Sequence, residues 1–292
     1  EWSKRHDDPF YFSTEASINL AKQKELLHLM QQIDFRYVFV GLESPDKDVL
    51  TEMHKVQNKR VSAVEAVQTL ASHGMIVNAG FILGFDSETE HTADNMIDLI
   101  QDTGIPTALI GTLTALPNTQ LSHRLKREGR LFDGGQVVTA SMADADQTTA
   151  GLNFRTVRPR TAILRDQAKV FRSIYHPARY YERVLRTATQ LMPNRRHRPS
   201  YARSLKLAWA FVRVSAKAGL NRRTALLYWK TLLTVLVRNP KAVEVVVSMA
   251  ALYVHYAKVS AFVRQTLENK IAYIERCGKE TYNRRMIGGS IS

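Results

Sequence analysis

Four short oily runs in the first 130 residues each end on small, hydroxylic or acidic side chains, and chemistry could gather at those junctions. The first junction offers Thr14, Glu15 and Ser17, and the second Gly41, Glu43 and Ser44. The third, inside "NAGFILGFDSETE", offers Gly80, Gly84 and Asp86, and the last Thr114, Pro117, Asn118 and Thr119. Carboxylates on neighbouring exits can hold a ribose diol or an ammonium group. Glycines beside them let backbone amides approach a ligand closely. The same residues also read as local structure, with Ser44 and Ser87 as helix N-caps and Gly84 as a turn. Repetition at consecutive exits favours a site without naming its ligand or a catalytic residue. His28, His54, His73, His91 and His123 lie in helical stretches without metal-ligand spacing.

The elements that must position these residues alternate regularly. "FYFSTEAS" reads as a strand, and "NLAKQKELLHLMQQID" carries Leu20, Leu26, Leu27, Leu29, Met30 and Ile33 close to helical spacing. "YVFVG" suits a buried strand. "SPDKDVLTEMHK" then opens with Ser44 as N-cap and Pro45 at the first helical position, and "VSAVEAVQTLASHG" is a helix stopped by Gly74. "MIVNAGFILG" is the third strand; Ser87 caps the next helix, with Glu90 completing a capping box and Gly104 ending it. "PTALIGTLTA" and "NTQLSHRLKREGR" add a strand and a short helix. Every connection is long enough for a helix, so parallel strands with both faces covered are expected. Four such units fit part of a barrel or an open sheet, and the chain reads as starting partway through that domain. Three segments follow: an α/β unit over 1–132, an irregular connection over 133–160, and an all-α domain over 161–292. Its helices are placed at 160–175, 178–191, 200–218, 222–238 and 241–275.

Charge separates the halves. Residues 1–130 hold 13 Lys/Arg against 18 Asp/Glu, whereas the remainder holds 28 against 9, out of a total net charge of +14. Such asymmetry suggests different partners for the two parts. "PNRRHRPSYAR" and "LNRRTALLYWK" interleave Arg with aromatics, a pattern suited to phosphate or anionic lipid with Trp209 and Trp229 at the interface. It equally suits amphipathic core helices with snorkelling basic residues. Nucleic acid would use the same groups, but no reading motif accompanies them. Lys230, Glu244, His255 and Lys258 interrupt the oiliest stretches, so no apolar window of membrane-spanning length is expected. The single Cys277 excludes an internal disulfide framework and any multi-thiolate cluster held by this chain alone, and it points to a reducing, cytoplasmic setting.

"STEASINLA", "VFVGLESPDKDVLTEMHKVQN", "GFILGFDSET" and "TLTALPNTQLSHRLKREGRL" closely resemble the later part of the TIM-like radical S-adenosylmethionine barrel. The branch they resemble is the cobalamin-binding one that includes hopanoid and bacteriochlorophyll methylases. "LNF…IYHPARYYERV" resembles the start of the helical C-terminal domain of unknown function that follows that barrel. The resemblance covers residues 1–190 well and the rest loosely, through the order of motifs rather than any one of them. It implies S-adenosylmethionine, a 4Fe-4S iron–sulfur cluster and cobalamin as cofactors. It also implies methylation of an unactivated carbon in an apolar lipid or tetrapyrrole, with a ring-forming radical reaction on the same scaffold as a second possibility. By resemblance, Glu15 lies near the ribose and Glu43, with Ser44 beside it, near the methionine moiety. Lys55 pairs with the cofactor carboxylate, and "GFILG" packs against the adenine. Ser17, Gly41, Gly80, Gly84 and Asp86 complete the expected cofactor wall, although some relatives have an acid where this chain has Gly80. The cluster's cysteine triad and the cobalamin domain do not occur in this chain, so both are expected in a preceding region of a longer enzyme. From another class, the rival reading is a non-catalytic basic helical module binding membrane or nucleic acid.

Overall fold

The computed structural model describes Arg5 and residues 10–53, 62–132, 148, 151–193 and 201–278. Lys55, His54, most of the expected connection and the arginines of "PNRRHRP" fall outside these residues. Strand β1 (Phe12–Ala16) leads through a 3-10 turn (Ile18–Lys22) to helix α1 (Lys24–Gln32). Then come β2 (Phe35–Glu43), α2 (Lys47–Glu52), α3 (Ala63–Ser72), β3 (Ile76–Leu83), α4 (Thr92–Thr103), β4 (Thr107–Thr112) and α5 (Gln120–Arg127). The helical part comprises α6 (Arg160–Ile174), α7 (Pro177–Gln190), α8 (Tyr201–Gly219), α9 (Ala225–Arg238) and α10 (Val243–Cys277).

The strands form one parallel sheet in the order β1-β2-β3-β4. Parallel strands are joined by right-handed crossovers, so a strictly sequential order places every connecting helix on the same side. Burial alternates accordingly: Val38, Val40 and Leu42 of β2, and Val77, Ala79, Phe81 and Leu83 of β3, enter the core. Among the described residues no helix covers the opposite face, contrary to the expectation of two covered faces; Leu109 in the middle of β4 is 53% exposed there. This one-sided arrangement is that of a barrel wall rather than a doubly wound sheet.

Local sequence explains most boundaries. Gly74 and Gly104, at φ 82° and 74°, adopt the left-handed conformation that ends α3 and α4. In α1 only Leu27 and Met30 are buried, while Leu26, Leu29 and Ile33 point outward and Leu20 belongs to the preceding 3-10 turn. The capping expectations are corrected. Helix α2 starts after Asp46, not after Ser44, whose hydroxyl accepts the Asp46 N–H at 3.2 Å. Helix α4 starts after His91, four residues later than a cap at Ser87 implied, and neither Ser87 nor Glu90 caps it.

The outer edge of β4 is sealed by a helix. Tyr175, just past α6, donates its hydroxyl to the Ala108 carbonyl at 2.8 Å, and Gln167 donates its amide to that of Ile110 at 3.3 Å. Side chains thus occupy carbonyls that another strand would have used. Beneath this edge α6, α7 and α10 share a tyrosine cluster, with Tyr175 stacked on Tyr256 at 5.2 Å and Tyr180 tilted against Tyr253 at 4.9 Å. Arg183 of α7 is 1% exposed and donates to the carbonyls of Ile105 and Ile174 at 2.8 and 2.6 Å and to the Gln101 side chain at 3.1 Å. Burial pulls its guanidinium down to about 10, still charged at neutral pH. It ties the α4–β4 junction to the helical bundle.

One helix corrects the sequence expectation on apolar length. The segment Pro240–Cys277 is long and apolar enough to cross a membrane by length and composition, and 28% of its most apolar window is buried. Its inward residues Val246, Met249, Tyr253, Ser260, Val263 and Leu267 follow helical spacing and pack in the bundle. Tyr180 donates to the Met249 carbonyl at 2.9 Å, and Ser260 to that of Phe171 at 3.2 Å. Those bonds are what a core helix makes.

Replacing Arg183 by Met strands two buried carbonyls and the half-buried Gln101 side chain and should cost about 3 kcal/mol, read as a lower midpoint in thermal or urea unfolding. Tyr175→Phe, which loses one bond, should cost about 1 kcal/mol in the same measurement.

Candidate functional site

The carboxyl end of the sheet is where strand exits converge, and pairing register fixes which residues stand level there. Glu15 of β1 lies level with Phe39, and Phe39 with Asn78. Two residues further on, Gly41 pairs with Gly80, and Gly80 with Leu109. Side chains alternate along a strand, so Glu15, Phe39, Asn78 and Leu109 share the helix-free face. Glu43 lies four residues beyond Phe39. At about 3.3 Å per residue and 4.8 Å between strands, its Cα is about 14 Å from that of Glu15. The two carboxylates therefore cannot share one diol; they suit opposite ends of an elongated ligand.

Glu43 occupies the left-handed region at φ 68°, where β2 slips register against β3. A non-glycine residue there stores strain of about 1 kcal/mol or more, as kinked strand exits at functional sites often do. Ser44 is buried, and its hydroxyl is occupied by the Asp46 N–H. Ser17 caps the 3-10 turn, accepting the Asn19 N–H at 3.4 Å. The space over Gly80 is filled by the ring of Phe39; a Cβ there would lie 2.9 Å from Phe39 Cζ. Gly80 thus admits an aromatic neighbour, and Phe39 presents a flat apolar surface beside Glu15.

The turn at Gly84 is built for close contact. Its φ of 111° and the side chain of Leu152 pressed against its Cα leave no room for a Cβ. Its N–H donates to Glu88 Oε1 at 2.6 Å. This bond explains the late start of α4. Glu88 folds back onto the strand exit, and the following residues make a turn before the helix begins. Glu88 is buried, and burial pushes its carboxyl up to about 7, while the Gly84 and Phe85 amides and Arg158, at 3.5 Å, pull it down.

Around this turn runs an ion-pair network. Asp86 takes a bidentate contact from Arg130 at 2.6 and 2.8 Å and a further one from Arg124 at 3.3 Å, and Arg130 holds its carboxyl below the usual range. Glu52 of α2 accepts the Ser87 N–H and hydroxyl at 3.2 and 2.7 Å and pairs with Arg124 at 3.1 Å. Asp46 accepts from Thr92 and, at 3.0 Å, from Asn95. Across the β4 exit, Asn153 accepts the Ala115 N–H at 2.8 Å and donates to the Ala115 carbonyl at 2.9 Å, imitating a strand. Phe132 and Arg155 extend that clasp, donating their backbone N–H groups to the carbonyls of Asn153 and Arg130 respectively.

The structure places Glu43 and Gly84 at the carboxyl ends of β2 and β3, Gly41 two residues before Glu43, and Glu15 lower on the sheet, level with Asn78. It ties Asp86 into arginines, uses Ser17 and Ser44 as local caps and covers Gly80. Lys55 lies outside the described residues. Sequence reasoning missed Phe39, Asn78, Glu88 and the clasp at Asn153. The four-residue step from Gly84 to Glu88 was the available signal, obscured by the stronger capping pattern at Ser87 and Glu90. Among the described residues, no group of three or more His, Cys, Asp or Glu is placed to hold a metal ion.

Because Glu88 titrates near 7 in the fold against 4.5 ordinarily, the unfolded chain gives up this proton first. Stability should fall as pH rises from about 4.5 to about 7, and Glu88→Gln should flatten that part of the profile in pH-dependent urea unfolding. Gly84→Ala should lower stability by about 2 kcal/mol or more in the same titration, from positive φ and overlap with Leu152.

Residues 119–269 match the family described as "Domain of unknown function (DUF4070)". The chain is 34% identical over 276 residues to the "Uncharacterized methyltransferase sll1242" of Synechocystis sp., covering 94% of this chain and 50% of that protein. It is 34% identical over 242 residues to the "Hopanoid C-2 methylase" of Rhodopseudomonas palustris, covering 82% and 44%. With the "Bacteriochlorophyllide d C-12(1)-methyltransferase" of Chlorobaculum tepidum it shares 26% over 122 residues, covering 42% and 27%. The chain thus spans about half the length of the first two relatives. A parallel one-sided sheet sealed by a helical bundle, matched over more than half its length by one family, makes the chain a member of the DUF4070 family and a radical S-adenosylmethionine methylase-like C-terminal part.

Proposed function

We propose that this chain forms one wall of the S-adenosylmethionine cavity in a cobalamin-dependent radical methyltransferase acting on a large apolar lipid or tetrapyrrole. The observation that carries the reading is the placement of Glu15, Phe39 and Asn78 level with one another on the helix-free side of a parallel sheet, with Gly41 and Glu43 at the carboxyl end of β2 beyond them. The names of the relatives support the reaction class and a bulky apolar substrate.

The donor set fits the nucleoside-bearing cofactor. Glu15 can accept hydrogen bonds from a ribose diol, and Asn78, level with it across Phe39, adds an amide at the same height. Phe39 offers a face on which an adenine can lie. About 14 Å along the wall, Glu43 is spaced to meet the ammonium of the methionine end, and Gly41 lets a backbone amide come close. Bound there, S-adenosylmethionine would supply the adenosyl group for radical chemistry. This wall would hold the ligand in one orientation and exclude water from one side. The donor set does not fit an iron–sulfur cluster, since Cys277 at the end of α10 is the single thiol; the cluster's ligands are assigned to a region of the longer protein outside this sequence. Cobalamin is likewise assigned to a region outside this chain, and the whole protein to the cytoplasm.

In the intact protein that carries this chain, Glu43→Ala and Glu15→Ala should each weaken S-adenosylmethionine binding about tenfold or more, equivalent to about 1.4 kcal/mol. Glu65→Ala on the exposed surface of α3 should leave affinity unchanged in the same equilibrium dialysis. Unaltered affinity in both strand-exit variants would remove the sheet face from the site. Absence of 5′-deoxyadenosine from the reduced, cluster-reconstituted protein would remove the radical reaction.

A further inference from the structure

Between Glu182 and Glu244 the sequence contains 14 Lys and Arg and no Asp or Glu, which equals the net charge of the entire chain, +14. The described part of this stretch is largely the hairpin of α8 and α9, and it exposes apolar side chains in two stripes. Along α8 these are Leu205, Trp209 (64% exposed) and Val212 on one face, with Leu207 and Phe211 also exposed, and Leu220 (80%) follows just past its end. Along α9 they are Leu226 (81%), Trp229, Leu233, Leu236 and Val237 (83%). The stripes meet at the hairpin turn, where Trp229 donates its indole N–H to the Gly219 carbonyl at 3.2 Å. Inward anchoring is confined to other positions: Ser215 bonds Tyr228 at 2.7 Å, and Tyr228, Leu232 and Val235 are buried.

We propose that this hairpin docks the protein onto an anionic lipid bilayer surface. Lys206, Arg213, Lys217, Arg222, Arg223 and Lys230 surround the apolar stripes with no acid among them. Two tryptophans on an apolar face suit the boundary between headgroups and acyl chains. A groove of about 280 Å³ between α8 and α10 has a floor of Ala210, Val214, Ala251 and Val254 and two cations, Arg213 and Lys217, among its lining residues. Apolar below and cationic above is the complement of an anionic phospholipid. Charge complementarity selects this occupant. A protein partner would need an acidic apolar surface, and acidic residues are absent from this face itself, so a second copy of the same hairpin would meet like charge. The inference is independent of the reaction proposed above.

The test uses the intact protein that carries this chain and vesicles of phosphatidylcholine with and without phosphatidylglycerol. Co-sedimentation should favour the anionic vesicles by about tenfold or more and should weaken at high salt. Trp209 and Trp229 emission should shift to the blue on those vesicles. Arg222→Gln with Arg223→Gln and Lys230→Gln should abolish the preference for anionic lipid. Leu226→Glu with Leu233→Glu should abolish binding while far-UV circular dichroism stays unchanged, since these side chains are exposed. Equal binding to neutral and anionic vesicles, no binding to either, or parental binding by both folded variants would overturn the proposal. So would dimer dissociation by Leu226→Glu with Leu233→Glu in size-exclusion chromatography, which would make the face a contact between copies.

Discussion

Right-handed crossovers joining parallel strands in strictly sequential order constrain everything else in this molecule. They commit α1 to α4 to one side of the sheet, so the core lies between that side and the helices, and no described helix covers the opposite side. A doubly wound order would have covered the face on which Glu15, Phe39 and Asn78 stand. The constraint also creates an edge at β4. Tyr175 and Gln167 close it by taking the Ala108 and Ile110 carbonyls, so the helical bundle completes the sheet as well as following it.

A free face is useful only if the strand exits bordering it are fixed, and here the charged residues serve that end. Glu88 holds the Gly84 amide, Asp86 is gripped by Arg130 and Arg124, and Glu52 holds Ser87. Asn153 clasps Ala115 from the far side of the irregular connection. Such partly buried bonds add specificity more than net stability, since desolvation offsets much of the attraction. Burying Glu88 runs against its ionisation, and the raised carboxyl is the sign of that cost. Loops restrained in this way hold the β3 and β4 exits in one arrangement.

Two halves of opposite electrostatic character are thus joined through a neutral aromatic and apolar seam. Tyr175, Tyr180, Tyr253 and Tyr256 supply the seam, and Arg183 spans it through carbonyls rather than carboxylates. Half of the second part's 28 Lys and Arg fall in the acid-free stretch that contains the α8–α9 hairpin, remote in sequence from the acidic strand exits.

The sequence alone determined the elements and their pairing direction, because hydrophobic period, glycine stops and connection length are local properties. Gly74 and Gly104 end α3 and α4 as read, and the relatives agree with the family resemblance carried by "GLES", "GFILG" and the later motifs. What local pattern could not decide was competition between partners distant in the chain. Ser87 and Glu90 form a sound capping pattern, yet Glu52 takes Ser87, and Glu88 turns to Gly84, so α4 starts at Thr92 instead. Asp86 read as a ligand group until Arg130, 44 residues away, was found to hold it. Likewise Gly80 read as an opening for a ligand, but the ring of Phe39 on the neighbouring strand fills it. Only the tertiary structure could settle these points: a polar or glycine residue at a strand exit has several satisfactory partners, and which one it meets depends on the packing of elements far apart in sequence.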